Sequence, residues 1–421
     1  LNGRELEMST RKRPLEGVKV VELANFIAAA TTGRFLADLG ADVVKIESAK
    51  GDPLRYTAPT EGRPLDMHEN TTWELQNANK RCISLNMKDP VGKEAFFKLL
   101  DDADILITNW RGQALERAGL DYETLKVKYP SLVYAVITGY GEYGPDKDLP
   151  GFDFTAYFAR GGYFETLRQK GAVPMNAVPG IGDHNVGINL AAGILGALYH
   201  AKLTGEGEKV ETSLFETAIF NMGMMVQAAQ YPEVGAHYPI AAREANNPIL
   251  NCWLTKDGRY VQTCMPDYNH YFKTFVTALG LTDIAEDEKY FPVQNLHKND
   301  LSTTLYDMVM AKFGEKTYEE WVPILTEADI PFSKCQNWEE ILEDEQAWAN
   351  DCFYKMQYPK GERVLVKQPV RYREMGPTPY ERGPLIGEHG VEVMKELGYS
   401  DDEINKMIEN KTLYIWEDEN K

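Results

Sequence analysis

The fold is decided by the stretch at residues 17–47, which reads GVKVVELANFIAAATTGRFLADLGADVVKIE. The alternation of apolar and branched residues in VKVVELA predicts a β-strand. A helix is predicted over residues 28–39, where Gly40 closes the pattern, and a second strand in ADVVKIE. A strand, a helix and a further strand in this order predict a βαβ unit, in which the helix connects two parallel strands.

The same alternation continues along the first half of the chain. A helix is predicted over residues 90–103 and a strand in ADILITN, and LKVKYPSLVYAVITGYG then predicts a helix end, a turn and another strand. We therefore predict an α/β fold with a Rossmann-like, mostly parallel sheet that has helices on both faces. The turn after the first strand, residues 24–30, lacks the GxGxxG pattern that a dinucleotide pyrophosphate requires, so an NAD site is not expected.

The character of the sequence changes in the second half of the chain. Two predicted strands, ILNCWLTK and RYVQTCM, flank an Asp257-Gly258 turn, and predicted helices follow at residues 268–279 and 301–312. This pattern predicts a smaller α/β domain over residues 226–340.

The smaller domain is expected to interrupt a larger one, whose first part covers residues 11–225. Residues 341–421 carry extended, proline-bearing stretches and a charged final helix at residues 391–397. They are predicted to return to the large domain and complete it. Residues 1–10 precede the first patterned segment and are interpreted as an expression remnant with an irregular start.

The composition excludes several classes of partner. The chain has 421 residues, with 45 basic and 64 acidic side chains and a formal net charge of −19. This charge argues against nucleic acid or an anionic membrane as the main partner, and an anionic ligand would need a local basic patch. No apolar run reaches the length of a membrane span, and no signal peptide is expected. Five cysteines without CxxC spacing suit a reducing cytoplasm, and the dispersed histidines indicate no metal site.

A second informative stretch is PGIGDHNVGINLAAGILGALYHAK at residues 179–202. It places one carboxylate, Asp183, just ahead of a long apolar helix. A helix start favours the ionised form of a carboxylate through its macrodipole and free amides, which suits a nucleophile. Gly180 and Gly182 allow the backbone and a ligand to approach closely. The alternative is that Asp183 is only an N-cap.

Seven motifs occur in order between about Pro14 and Tyr399. They are VVELANFIAAATTGRFLADLGADVVKIE, ANKRCISLNMK, ADILITNWRGQALERAGLDYETL, LVYAVITGYGEYGPDKDLPGFD, PGIGD, TGEGEKVETSLFE and GPLIGEHGVEVMKELGY. In this order they resemble the class III coenzyme A transferases. LANFIAA, GDPLRYTAP, ENTT and GFDFTAYFARGG are most similar to the anaerobic 2-hydroxyacid types of amino-acid fermentation, with the aryllactate type nearest and the 2-hydroxyisocaproate type next.

The resemblance implies an enzyme that transfers coenzyme A from an acyl-CoA, such as a cinnamoyl-type 2-enoyl-CoA, to a 2-hydroxyacid such as aryllactate or 2-hydroxyisocaproate. Asp183 matches the family's nucleophile, which forms a mixed anhydride and then an aspartyl-CoA thioester. Asp153 matches a second acidic residue near the nucleophile, and its alternative role is to cap the helix that follows it. Coenzyme A and acyl-CoA are expected as substrates, with no permanently bound cofactor and no metal.

The resemblance also implies a set of residues that contact coenzyme A. Cations are needed for its phosphates, and apolar positions at the end of the first strand match those that line the thioester. Taken singly, each lysine or arginine is as well explained by a solvated surface charge. The set is Phe26, Ile27, Ala28, Lys80, Arg81, Leu85, Lys88, Asn109, Trp110, Arg111 and Arg117.

Departures from related enzymes narrow the reaction. Phe152 stands where the related racemases have an acid/base histidine, and a phenyl ring cannot transfer a proton. Ile27 stands where formyl-CoA transferases have a glutamine, which favours a bulkier, apolar acyl group. His184 has the chemistry of an acid or base, or it is a structural neighbour of the helix start. An acyl-CoA racemase or isomerase, a carnitine- or formyl-type transferase and a non-catalytic CoA-binding protein remain as alternatives.

The family fold is an interlocked homodimer, in which each chain threads through a ring formed by the other. The order of domains allows this arrangement, because the large domain is built from both ends of the chain. The resemblance further implies a 2-hydroxyacyl-CoA dehydratase as a partner, and a cytoplasmic location without nucleic acid or membrane.

Overall fold

The computed structural model describes residues 12–231 and 238–416. The segment interpreted as an expression remnant, Leu1 to Thr10, therefore lies outside the described residues. The described part of the chain divides into two units. The first comprises residues 12–163, 176–227 and 346–416, and the second comprises residues 164–175 and 228–345. The domain boundaries drawn from the sequence stay predictions.

Strands and helices alternate in the first part of the chain. The strands are β1 (Lys19–Leu23), β2 (Asp42–Glu47), β3 (Arg81–Leu85), β4 (Ile105–Thr108), β5 (Val133–Thr138), β6 (Lys209–Ser213), β7 (Cys252–Leu254), β8 (Tyr260–Thr263), β9 (Phe332–Lys334), β10 (Phe353–Tyr358), β11 (Gly361–Val366) and β12 (Leu413–Tyr414).

The α-helices are α1 (Ala28–Asp38), α2 (Thr71–Asn77), α3 (Pro90–Asp101), α4 (Gly112–Ala118), α5 (Tyr122–Lys128), α6 (Tyr163–Thr166), α7 (Ile181–Thr204), α8 (Leu214–Asn221), α9 (Gly223–Ala228), α10 (Tyr268–Ala278), α11 (Thr282–Ala285), α12 (Val293–Lys298), α13 (Ser302–Phe313), α14 (Tyr318–Glu327), α15 (Trp338–Glu343), α16 (Glu345–Ala349), α17 (Gly390–Glu396) and α18 (Asp401–Glu409). A π-helical segment covers Asp153–Ala159.

The first unit is built on a sheet with the strand order β12-β3-β2-β1-β4-β5-β6. All neighbours pair in parallel except β12, which runs antiparallel to β3. The predicted βαβ unit is confirmed: β1 and β2 pair in register from Lys19 with Asp42 to Glu22 with Lys45, and α1 connects them. The predicted mostly parallel sheet is therefore confirmed.

The end of the chain completes the core of the first unit. Val393 and Met394 of α17 and Ile404 and Met407 of α18 are buried in the same apolar cluster as the side chains of β1 to β5. The sequence predicted one final helix at residues 391–397, whereas the structure adds α18 and β12. The signal for α18 was a capping box, in which the Ser400 hydroxyl and the Glu403 carboxylate satisfy the first free amides.

The second unit has its own antiparallel sheet, in the order β7-β8-β9, and its own apolar core. The predicted turn between β7 and β8 is confirmed, with Gly258 at φ 76° in the left-handed region that glycine tolerates. The Trp253 ring is fully buried and stacks on Phe313 of α13 at 5.7 Å between ring centroids. This packing fastens the sheet to the helices of the unit.

Helix α7 is by length and composition apolar enough to cross a membrane, alone among the helices of the described residues. It packs against α1, β5 and β6, and Val186, Leu190 and Ile194 are buried, which is typical of a core helix. The sequence indicated no apolar run of this length. The difference arises because Asn189 and His200 interrupt the run without lowering its mean hydropathy below that of a span.

A network of buried charges joins β1, β2 and β3. The Lys45 ammonium lies 2.9 Å from Glu22 Oε1 and 3.0 Å from Asp52 Oδ2, and it donates to the Ala24 carbonyl at 2.8 Å. The Lys80 ammonium donates to Glu22 Oε2 at 2.7 Å. Burial by itself raises the pKa of Glu22, but the two lysines hold that pKa below its usual value. Every charge in the network is therefore compensated inside the protein.

We expect Lys45→Met to destabilise the protein by about 3–5 kcal/mol, because two buried carboxylates then lose a shared partner. Unfolding in urea, followed by circular dichroism, measures this loss. The matched control is Lys19→Met on the same strand, since Lys19 pairs with Asp102 at an exposed position. Equal unfolding midpoints for the two variants would contradict a stabilising role for the buried network.

Candidate active site

A cavity of about 1100 Å³ lies in the first unit at the carboxyl ends of β1, β4 and β5. Its lining comes from the segments that directly follow these strands, together with the start of α7. Ligands of open parallel sheets bind at this edge, because the connecting loops gather there. The cavity contains these residues of the predicted site: Phe26, Ile27, Ala28, Asn109, Trp110, Arg111, Arg117, Asp153 and Asp183.

The turn after β1 has an unusual backbone that is held from two sides. Phe26 adopts φ 61°, in the left-handed region that is costly for a residue with a side chain. Its N–H donates to Asp52 Oδ1 at 3.0 Å. The Asn109 side chain accepts from the Asn25 N–H at 3.1 Å and donates to the Asn25 carbonyl at 2.7 Å. The amide of Asn109 therefore fixes the turn.

The start of α7 is held by a carboxylate from a different segment. Asp153 Oδ2 accepts from the Gly180 N–H at 2.8 Å, and Oδ1 accepts from the Gly182 N–H at 3.0 Å. Asp183 lies inside the first turn of α7, with Gly180 as the N-cap. The expectation that Asp183 lies ahead of the helix is wrong, and so is the N-cap alternative. Asp153 caps α7 rather than the helical segment that it begins.

Gly182 is required by this arrangement. A Cβ at this position would lie 2.3 Å from Asp153 Oδ1 and 2.3 Å from Tyr157 Cγ, both closer than atoms can pack. The missing side chain thus lets the Asp153 carboxylate reach the amides of α7. These amides are occupied, and we therefore do not assign Gly180 and Gly182 as donors to a substrate oxyanion.

The carboxyl group of Asp183 titrates near neutral pH. Burial raises its pKa to about 7, and the negative charge of Asp153 adds to the effect. No described residue donates a hydrogen bond to it. The expectation that the helix start keeps Asp183 ionised is wrong, because Asp153 takes two of the free amides and adds a like charge. Burial also raises the pKa of Asp153, although its backbone donors lower it.

His184 faces a polar chain rather than a free space in the site. Its Nε2 lies 2.7 Å from the Gln76 side-chain nitrogen, and Gln76 Oε1 accepts from the Thr31 hydroxyl at 2.7 Å. Burial lowers the pKa of His184, so the ring is neutral. A neutral ring whose Nε2 is bonded to Gln76 favours the structural interpretation of this residue.

Three cations point to where an anionic ligand would be held. Arg111, Arg117 and Lys147 line the cavity, are exposed, and form no ion pair with any other described residue. A fourth, Lys209, is already paired with Glu142 and Glu211. The first three cations thus supply the local basic patch that the acidic chain as a whole does not.

Four residues of the predicted site lie away from the cavity lining. Lys80 is buried in the charge network, where burial lowers its pKa to about 8 despite its bond to Glu22. Arg81 pairs with Asp42 and with acidic residues of α17. Leu85 is buried in the core, and Lys88 is exposed beyond the end of β3. β3 is separated from β1 by β2, which keeps these four residues outside the cavity.

Sequence reasoning missed much of the loop that follows β5. Glu142, Tyr143, Lys147 and Leu149 line the cavity, as does Phe154 at the start of the π-helical segment. Their signal was position: residues after a parallel strand reach the ligand edge of the sheet. Within the described residues, no group of three or more His, Cys, Asp or Glu is placed to hold a metal ion.

Comparison with known proteins supports a family assignment. A model of the family described as CoA-transferase family III matches residues 15–390. The chain is 54% identical over 409 residues to cinnamoyl-CoA:phenyllactate CoA-transferase of Clostridium sporogenes, covering 97% of this chain and 99% of the relative. It is 44% identical over 402 residues to (R)-2-hydroxy-4-methylpentanoate CoA-transferase of Clostridioides difficile, covering 95% and 99% of the two chains.

The fold leads to the same family. The crystal structure of a CAIB/BAIF family protein from Brucella suis is similar to this chain with a TM-score of 0.76 and 26% identity, covering 92% of this chain and all of that one. The family match and the two relatives of nearly full length show that the chain belongs to CoA-transferase family III and is a CoA-transferase.

Proposed function

We propose that this enzyme transfers coenzyme A from a 2-enoyl-CoA of the cinnamoyl type to an aryl-substituted 2-hydroxyacid such as phenyllactate, with Asp183 as the nucleophile. The observation that carries the proposal is a buried carboxyl group without a hydrogen-bond donor, at the wall of the cavity and with a pKa near 7. Such a group is partly ionised at neutral pH and keeps the reactivity that a bound donor would reduce. The phenyllactate-type relative supports the substrate class.

The reaction is an exchange of acyl bonds that needs no external energy source. A carboxylate oxygen of Asp183 attacks the thioester carbonyl, the C–S bond breaks, and a mixed anhydride and the CoA thiolate form. The thiolate attacks the aspartyl carbonyl, which releases the first acid and leaves an aspartyl-CoA thioester. The acceptor carboxylate then repeats these two steps in reverse, so that its CoA ester leaves and Asp183 is regenerated.

Asp153 is a positioning residue in this proposal. Its carboxylate fixes the first turn of α7 through Gly180 and Gly182, and this places the backbone of Asp183. Its charge also keeps the pKa of Asp183 high. A better proton acceptor attacks more readily, provided that it is ionised at the working pH.

Coenzyme A is proposed to bind with its phosphates at Arg111, Arg117 and Lys147. These cations lie on the segments after β4 and β5, and their charges face the cavity without internal partners among the described residues. Trp110 is half-buried against the core of the unit and lines the cavity beside them. The tasks that the resemblance gave to Lys80, Arg81, Leu85 and Lys88 are not part of this proposal, because these residues lie outside the cavity.

A racemase reaction on the same fold is the second candidate. It requires two groups that exchange a proton with the α-carbon, and the cavity offers Phe152 beside Asp153 where one of them would stand. His184 is neutral and bonded to Gln76. These observations favour transfer over racemisation. A dehydratase partner and a cytoplasmic location stay predictions from the resemblance.

An interlocked homodimer is proposed as the working form. Ile188, Tyr199 and Leu203 of α7 and Phe220 of α8 are exposed apolar side chains, with Phe220 80% exposed. Apolar surface of this kind is stable in water when a partner covers it.

We expect light scattering to give about twice the chain mass of 47.6 kDa at micromolar concentration. The homodimer supplies the cover that the apolar side chains of α7 and α8 lack. A fully active protein with the mass of one chain would contradict the proposal.

We expect Asp183→Asn to reduce transfer between cinnamoyl-CoA and phenyllactate by about 10³-fold or more, because the nucleophile is lost. Hydroxylamine added to the working enzyme should convert Asp183 to a hydroxamate, which peptide mass spectrometry detects. The control is Asp402→Asn, which removes a carboxylate from the first turn of the exposed helix α18. Deuterium exchange at the α-carbon without movement of coenzyme A would select the racemase instead.

The pH dependence follows from the raised pKa of Asp183. Only the ionised form attacks, so kcat/KM should rise with pH and level off above about 7. Asp153→Asn removes the neighbouring negative charge, which lowers the pKa of Asp183 and moves this acidic limb to lower pH. Asp148→Asn is the control, since Asp148 is an exposed carboxylate of the same cavity. An acidic limb that stays in place in Asp153→Asn would show that Asp183 is not the titrating group.

A further inference from the structure

We propose that Phe26 and Phe152 form an aromatic wall that selects acids with an aryl side chain. This inference rests on the proposed transferase function and deepens it, because it assigns the recognition of the acyl group to two residues. Both line the cavity together with Asp183. They come from different segments, one after β1 and one after β5.

The two rings already interact in an edge-to-face arrangement. Their centroids lie 5.7 Å apart and their planes are at 90°. Aromatic pairs prefer this geometry, because the positive edge of one ring meets the negative face of the other. Phe152 is still 56% exposed, so much of its surface is open to a further ring in the cavity.

The backbone on either side holds both rings in place relative to the nucleophile. Phe26 is kept at its positive φ by the bond from its N–H to Asp52, which is itself paired with Lys45. The Phe152 N–H donates to the Thr155 hydroxyl at 3.0 Å. The next residue, Asp153, is bonded to the first turn of α7. A pre-ordered pair of this kind binds a ligand ring without the cost of ordering its own side chains.

The surroundings of the wall are apolar and extend the aromatic surface. Ile27 and Ala28 line the same cavity next to Phe26. Phe154 also lines it, and its ring packs edge-to-face on Phe158 at 6.1 Å. The unpaired cations of the cavity, by contrast, suit phosphates. The cavity thus has one group of residues suited to coenzyme A and another suited to a flat apolar side chain.

An aliphatic side chain would fill the same space but would lack the edge-to-face attraction. The rings therefore discriminate between two acids of similar size, such as 3-phenyllactate and 2-hydroxy-4-methylpentanoate. The second of these is the acid named for the 44% identical relative, which makes it a direct comparison. A ring-to-ring contact is worth a factor of about two to ten in preference.

The test measures kcat/KM for the two acids with cinnamoyl-CoA as the donor in both assays. Phe152→Leu and Phe26→Leu should each lower the preference for 3-phenyllactate over 2-hydroxy-4-methylpentanoate by about fivefold. Phe152→Tyr keeps an aromatic ring and should retain the preference. Trp338→Leu, which removes an exposed aromatic residue outside the cavity, is the matched control.

The outcomes separate this inference from the proposed function. An active enzyme whose preference is unchanged in both leucine variants would overturn the aromatic wall and leave the transferase standing. A parent protein that transfers coenzyme A to neither acid would overturn both. Calorimetric titration of the Asp183→Ala protein with cinnamoyl-CoA gives a readout without turnover, and Phe152→Leu in that background should weaken binding by a similar factor. Unchanged affinity there would also overturn the wall.

Discussion

The candidate active site depends on the buried ammonium group of Lys45. It joins Glu22 of β1 to Asp52 after β2 and also bonds to the Ala24 carbonyl, so one charge ties the turn after β1 to the strand beside it. Burial opposes the charge, but the two carboxylates raise the pKa of Lys45. Asp52 can then accept from the Phe26 N–H and keep that residue in a conformation it would otherwise leave.

A second constraint acts between segments that are about thirty residues apart in sequence. The Asp153 carboxylate takes the place of an ordinary N-cap side chain at α7, where glycine occupies the cap position. One group thereby orders the first turn and also makes the ionisation of Asp183 harder. Structure and chemistry are coupled at this point, because the residue that positions the nucleophile also sets the pH at which it is charged.

Local pattern was enough to predict the βαβ unit, since alternation and Gly40 act within a few residues. It was also enough to single out Asp183 and the segments after β1 and β4. The fate of Lys80 was not predictable in this way, because its charge is used by Glu22 on a different strand. The positive φ of Phe26 depends in the same manner on Asp52 and Asn109. Long-range pairing of side chains leaves no periodic trace in the sequence.

The antiparallel strand β12 has a consequence for synthesis of the protein. It pairs Leu413 with Leu85 and covers the outer edge of β3, while Met394 and Met407 of the preceding helices fill the core beneath. A nascent chain that has emerged only as far as β6 therefore has an open strand edge and an incomplete core. Such an edge is prone to pair with other chains. Termination of translation before Leu413 would leave that edge uncovered, so premature stop codons very late in the gene should still produce aggregating protein.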